Sequence, residues 1–154
     1  MNGYHLRPAE KLALRAMQRR KGLKSLILEG APGTGKTYFA ESLAKEWGAK
    51  YLYYLCHHWT SDEELFVGVN VGRVAAGVDK PEDAYEYGVL AKAAIASQSE
   101  SVVVCLDELD KAPQRAESLL LDFLQHGRVY LPDGTVIQGN LPNITAIVTT
   151  NAVR

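Results

Sequence analysis

Short apolar runs alternate with amphipathic stretches along this chain, and that alternation predicts an α/β layered domain. Lys24 to Glu29, built on Leu26, Ile27 and Leu28, reads as a first strand. Tyr38 to Trp47 reads as a helix with Phe39, Ala40, Leu43, Ala44 and Trp47 on one face and Gly48 as its stop. Lys50 to Cys56 is a tyrosine-rich second strand. Ser101 to Leu106 is a third, and its run VVVCL has no polar position, the mark of a strand covered on both faces. Pro113 to His126 carries Ala116, Leu119, Leu120, Phe123 and Leu124 at helical spacing, and Asn143 to Thr149 is a fourth core strand.

Between these elements the pattern is weaker. Pro8 to Lys21 reads as a helix that opens on proline and stops at Gly22, with Leu12, Ala13, Ala16 and Met17 on its apolar side. Ser61-Asp62-Glu63-Glu64 predicts a capping box for a short helix through Phe66. Gly68 to Lys80 has no clear period and reads as a loop, and Pro81 to Ser97 reads as one helix bent near Gly88. Arg128 to Leu131 and Thr135 to Gln138 flank Pro132-Asp133-Gly134, which predicts an inserted β-hairpin. Strands alternating with helices imply a parallel central sheet. With no internal repeat, low-complexity tract or linker, residues 1–154 read as a single domain.

Composition narrows the class. A chain of 154 residues, 47% hydrophobic and 23% charged, can build one core of ordinary globular type. A net charge of −1 gives no overall basic field for nucleic acid. The local basic cluster of Arg15, Arg19, Arg20, Lys21 and Lys24 reads as a solvated helix face. Cys56 and Cys105 lie in apolar strands and read as reduced core thiols. No targeting core or bilayer-length apolar stretch is present, so a cytoplasmic or other reducing compartment, without a membrane, is expected.

The chemistry is concentrated in three places. Gly30-Ala31-Pro32-Gly33-Thr34-Gly35-Lys36-Thr37 fits the phosphate-loop pattern G-x-x-x-x-G-K-[ST] between a strand and a helix that begins near Tyr38. Its glycines let backbone N–H groups approach an anion, and the helix that follows points its unpaired N–H groups and positive dipole end at the same place. Lys36 then reaches the β- and γ-phosphates, and the Thr37 hydroxyl can ligate Mg²⁺. Val102 to Glu108 is a buried strand ending in two carboxylates. In a phosphate-loop protein, Asp107 would hold Mg²⁺ opposite Thr37, mostly through a water, and Glu108 would polarise the attacking water. Taken alone, the pair also suits a helix N-terminus. The strand Ile144 to Thr150 ends at Asn151, which can bond the water or the γ-phosphate, or simply form a turn.

With all three in this order, the chain resembles the AAA+ ATPases. GAPGTGKT is similar to their Walker A motif, LDELD to Walker B and VTTNA to the sensor 1 strand. The hairpin before that strand, with SDEELFVG, LDELDKAP and HGRVYLPDGTVI, looks like the MoxR-like and dynein-related branch. The resemblance implies a P-loop NTPase three-layer sandwich that binds ATP and Mg²⁺ and works as a ring, usually a hexamer, remodelling a macromolecule whose nature is unknown. Carried over by motif, Lys36, Glu108 and Asn151 are the catalytic set, residues 30–38 the nucleotide cradle, and Thr37 and Asp107 the metal pair. An adenine pocket is expected near His5 to Arg7. The family pattern continues past the sensor strand with an arginine finger, a fifth core strand and a helical lid. The chain therefore reads as a C-terminally truncated core, lid absent, whose first strand is left as an open edge. Competing readings are a nucleotide-binding switch with little hydrolysis, a P-loop kinase, and a translocase acting on nucleic acid.

Two further groups read blandly. His57, His58 and Trp59 suit a loop, and Tyr51, Tyr53 and Tyr54 suit packing within a strand.

Overall fold

In the computed structural model, the described residues are 12, 15–17, 21–29 and 35–151, with the backbone alone described at 36, 37 and 81. Four strands form the central sheet: β1 (Lys24–Glu29), β2 (Lys50–Leu55), β5 (Val102–Asp107) and β8 (Ile144–Thr150). All pair in parallel, in the order β1-β8-β5-β2. This is the parallel sheet that the alternation of strands and helices predicted.

The pleat of β5 explains why its sequence is apolar at every step. Val103 and Cys105 face helix α1 (Lys36–Trp47) and pack with its Phe39, Ala40, Leu43 and Ala44. Val102, Val104 and Leu106 face the opposite side, where α4 (Val89–Ser97) presents Leu90, Ala91 and Ala94. There α5 (Gln114–His126) adds Ala116, Leu120 and Phe123. Successive strand residues thus enter two separate cores, and the result is a helix–sheet–helix sandwich. The α5 spacing of 116, 120 and 123 turns one stripe to the sheet while Leu121 stays exposed. Gly127 ends this helix at φ 61, where a Cβ would meet Leu141 Cδ2 at 2.4 Å. Both the left-handed turn and the close packing call for glycine.

Half of the expected capping box forms: the Ser61 hydroxyl accepts from the Glu64 N–H at the start of α2 (Asp62–Leu65), while the Glu64 carboxylate turns to Tyr54 and His57. The inserted hairpin is also present, β6 (Arg128–Tyr130) pairing with β7 (Val136–Gln138). Its turn is held by Asp133, whose Oδ1 accepts from the Thr135 N–H at 2.9 Å and from its hydroxyl at 2.7 Å.

Three expectations are corrected. The stretch that reads as a loop from Gly68 to Lys80 contains most of β3 (Val67–Val69) and all of α3 (Val71–Ala76). The single helix expected from Pro81 to Ser97 begins as a 3₁₀ turn, Pro81–Ala84, and continues as β4 (Tyr85–Tyr87) before α4. β3 and β4 form a second antiparallel pair, closed by α3 and the 3₁₀ turn between them, with Val67 opposite Tyr87 and Val69 opposite Tyr85. Three residues cannot show a period, so this pairing rests on contacts distant in sequence. Asn70 accepts the Arg73 N–H to start α3 and donates to Glu86 at 2.7 Å, while Gly88 N–H donates to Phe66 O at 2.6 Å. Finally, Lys24 is not on a solvated helix face. It opens β1, 5% exposed, and its Nζ donates to Pro142 O at 2.5 Å. Burial lowers its pKa. Most of the helix expected over Pro8 to Lys21, and the pocket expected near His5 to Arg7, lie outside the described residues.

Among the described residues β1 is an edge strand, as expected, with Ile27 exposed. No helix among them is long and apolar enough to cross a membrane.

Candidate functional site

Parallel strands deliver their carboxyl ends to one edge of the sheet, the usual binding edge of open α/β sheets. Here the register places Leu55 opposite Asp107 and Glu29 opposite Thr150 along that edge. Asp107, Glu108 and Asn151 all come from it, so the structure brings the second and third motifs together.

Asp107 is held from two neighbouring strands. The Thr149 hydroxyl of β8 donates to its Oδ1, and the Tyr53 phenol of β2 donates to its Oδ2 at 2.6 Å. Thr149 is fully buried and also accepts the Glu108 N–H at 2.9 Å. Glu108 has φ 56 and ψ 50, the left-handed region, and among the described residues it is the only non-glycine residue with positive φ. A strand continuing through 107 and 108 would send their side chains to opposite faces. The left-handed turn breaks that alternation and keeps both carboxylates at the edge. Such a conformation costs on the order of 1–3 kcal/mol, and the Thr149 bond helps to hold it.

Glu108 Oε1 accepts from the Asn151 amide at 2.8 Å and from Lys111 Nζ at 2.9 Å. Asn151 is fixed in turn by Asp110, whose Oδ1 accepts the Asn151 N–H and the Thr150 hydroxyl, each at 3.1 Å. Burial alone would raise the Asp110 pKa, but these bonds and the nearby Lys111 outweigh it and hold the carboxyl below its ordinary value. Lys111 is pushed up by its bond to Glu108.

Sequence reading missed four of these residues: Tyr53, Thr149, Asp110 and Lys111. Tyr53 reads as a packing residue in sequence, yet its hydroxyl meets a carboxylate. Burial first, then the bond to Asp107, drives its pKa well up, so the phenol stays a donor. Thr149 lies inside the quoted sensor strand, but its partner follows only from the β5–β8 register, with Leu106 opposite Val148. The histidine reading was nearer: His57 sits in the turn after β2, its Nε2 3.2 Å from Glu64 Oε2, and Trp59 is 83% exposed. Tyr54, read as packing, donates to Glu64 at 2.5 Å. The cysteines are buried and free, and burial pushes each thiol up to about 12.

The remaining predicted residues run from Gly30 to Tyr38. Gly30, Ala31, Pro32, Gly33 and Thr34, and the side chains of Lys36 and Thr37, lie outside the described residues. What is described is their frame: β1 ends at Glu29, and α1 starts at Lys36 after Gly35, which has φ 87. The first helical bond runs from Phe39 N–H to Gly35 O at 2.9 Å, and Tyr38 is half exposed beside it. Among the described residues no three His, Cys, Asp or Glu side chains converge to cage a metal.

The sandwich and this edge define an α/β fold of the P-loop NTPase type. Residues 25–154 match the family described as AAA domain (dynein-related subfamily), and the chain belongs to that family. This agrees with the branch that the sequence resembles. Two solved structures share the fold over 94% of the chain. One is a protein of Cytophaga hutchinsonii described as a candidate ATPase, with TM-score 0.63, 18% identity and 39% of its length covered. The other models the complex between subunits BchI and BchD of magnesium chelatase, with TM-score 0.66, 20% identity and 52% of its length covered. A 51-residue stretch is 45% identical to the ATP-dependent zinc metalloprotease FTSH 11, chloroplastic/mitochondrial, of Arabidopsis thaliana. The corresponding FTSH 9 of Oryza sativa subsp. japonica is 43% identical over 51 residues. Each stretch is 33% of this chain and 6% of the relative.

Proposed function

We propose that the chain is a core domain that binds and hydrolyses ATP with Mg²⁺ and uses the cycle to remodel a macromolecular partner as part of an oligomeric ring. The observation that carries this reading is the meeting of Asp107, Glu108 and Asn151 at the carboxyl edge of the sheet. The phosphate-loop sequence leads into α1, which packs on the Asp107 face of that sheet.

The donor set suits the metal. Mg²⁺ takes one or two carboxylates, with waters and substrate phosphates filling its other positions, and does not need a protein cage. Asp107 and Thr37 are the residues that would hold it, and when bound it would neutralise charge on the phosphate oxygens. The N–H groups of residues 30–37, other than Pro32, and the Lys36 ammonium would cradle the phosphates. Glu108 would take a hydrogen bond from the attacking water and orient it for in-line displacement. Asn151 is placed beside Glu108 to bond the same water or the γ-phosphate.

One feature favours a second reading, a nucleotide-responsive switch with slow turnover. Glu108 Oε1 is engaged by both Lys111 and Asn151, so the base is partly occupied. An arginine supplied in trans by a neighbouring subunit would raise the rate by ~10³–10⁵-fold, so the isolated chain should be slow on either reading.

ATP hydrolysis by the wild type and Glu108→Gln, with ATP binding by Lys36→Ala, tests the proposal. Loss of hydrolysis with retained binding is expected for Glu108→Gln, and weakened Mg-ATP binding for Lys36→Ala. Equal hydrolysis in wild type and Glu108→Gln would remove the catalytic assignment, and unchanged affinity in Lys36→Ala would remove the nucleotide site.

A further inference from the structure

We propose that Tyr53 is a positioning residue for Asp107, holding its carboxylate so that it meets Mg²⁺ through a metal-bound water. The inference rests on the nucleotide-site reading above. It concerns a residue on β2, outside all three sequence motifs.

Three observations converge. First, both Asp107 oxygens are engaged by hydroxyl donors from different strands, Oδ1 by Thr149 and Oδ2 by Tyr53. A carboxylate held at both oxygens by strands on either side cannot rotate freely. Second, Tyr53 is 44% exposed, so water could serve its hydroxyl; the phenol lies 2.6 Å from the carboxylate all the same. Tyr51, two residues earlier on the same strand, keeps its hydroxyl buried with no hydrogen-bond partner among the described residues. Third, Asp107 lies on the sheet face packed by α1, the helix entered from the phosphate loop.

The chemical consequence follows from lone pairs. Each carboxylate oxygen has two acceptor positions, and a charge-assisted bond occupies one on each. The electron density left on each oxygen is a weaker direct ligand but still a good acceptor from a metal-bound water. Removing the phenol frees the carboxylate to rotate and to lose its aim.

The test is a Mg²⁺ titration of the affinity for a fluorescent ATP analogue, using the whole 154-residue chain. Tyr53→Phe should raise half-saturating Mg²⁺ roughly three- to tenfold, a part of what a charge-assisted bond contributes. Affinity in EDTA should not change, and the melting temperature should fall only slightly, because water reaches the exposed end of Tyr53 and replaces the lost bond. Tyr53→Trp, which also lacks the phenol, should show the same shift, and Tyr51→Phe should show none. In an Asp107→Asn background Tyr53→Phe should add nothing. An unchanged Mg²⁺ midpoint in Tyr53→Phe, or an equal shift in the Asp107→Asn background, overturns the assignment. Failure of the underlying reading looks different: the wild type itself would bind the analogue without response to Mg²⁺ or to Lys36→Ala.

Discussion

Thr149 joins the side chain of Asp107 to the backbone of Glu108, and replacing it with valine isolates that role. The side chain is fully buried, and its one oxygen serves two partners: it accepts the Glu108 N–H at 2.9 Å and donates to Asp107. Valine keeps the shape and the strand preference but removes the oxygen. Losing the bond to the carboxylate costs about 1.5–3 kcal/mol, and orphaning the Glu108 N–H about 1 kcal/mol more. Asp107 is only partly buried, so water recovers some of the first term, and the added methyl returns about 0.8 kcal/mol. The net expectation is a loss of about 2 kcal/mol in urea unfolding. Thr149→Ser, which keeps the oxygen, should lose no more than about 1 kcal/mol. The left-handed Glu108 also loses the bond that holds it, so ATP hydrolysis should fall further than ATP binding. If Thr149→Val unfolds within about 0.5 kcal/mol of wild type, or serine proves as damaging as valine, the hydroxyl is not the link.

Two further outcomes are expected. Gly88→Ala should destabilise strongly although φ there is −76, because a Cβ would lie 2.3 Å from Glu64 O and 2.5 Å from the Leu65 carbonyl carbon; Gly22→Ala, with nothing within 4 Å among the described residues, is the control, and equal melting temperatures would refute the close approach. Asp110 has a folded pKa below its unfolded value, so its stabilisation is present above the unfolded pKa, about 4, and is lost as pH falls through the folded value. The stability difference between wild type and Asp110→Asn should therefore shrink on acidification below about pH 4, and a pH-independent difference in urea titrations would contradict it.

Much of this architecture was legible in the residues themselves. The apolar run of β5, the stripe of α5 and the turn at Asp133 are local signals, and each produced the element it predicted. The family was legible too, in the phosphate-loop sequence and in the paired acids at the end of β5. The β3–β4 pair was not legible, because three-residue strands carry no period and take their stability from each other.

What the sequence by itself determined is the set of elements and the chemical groups they carry, since periodicity, turn residues and motif spacing are properties of neighbours along the chain. Only the tertiary structure decided who meets whom. The order β1-β8-β5-β2 puts Thr149 and Tyr53 on either side of Asp107, and Glu108 leaves the strand through a left-handed turn toward Asn151. Those pairings depend on strand order and register, set by burying both faces of one sheet at once, and no single segment of the chain encodes them.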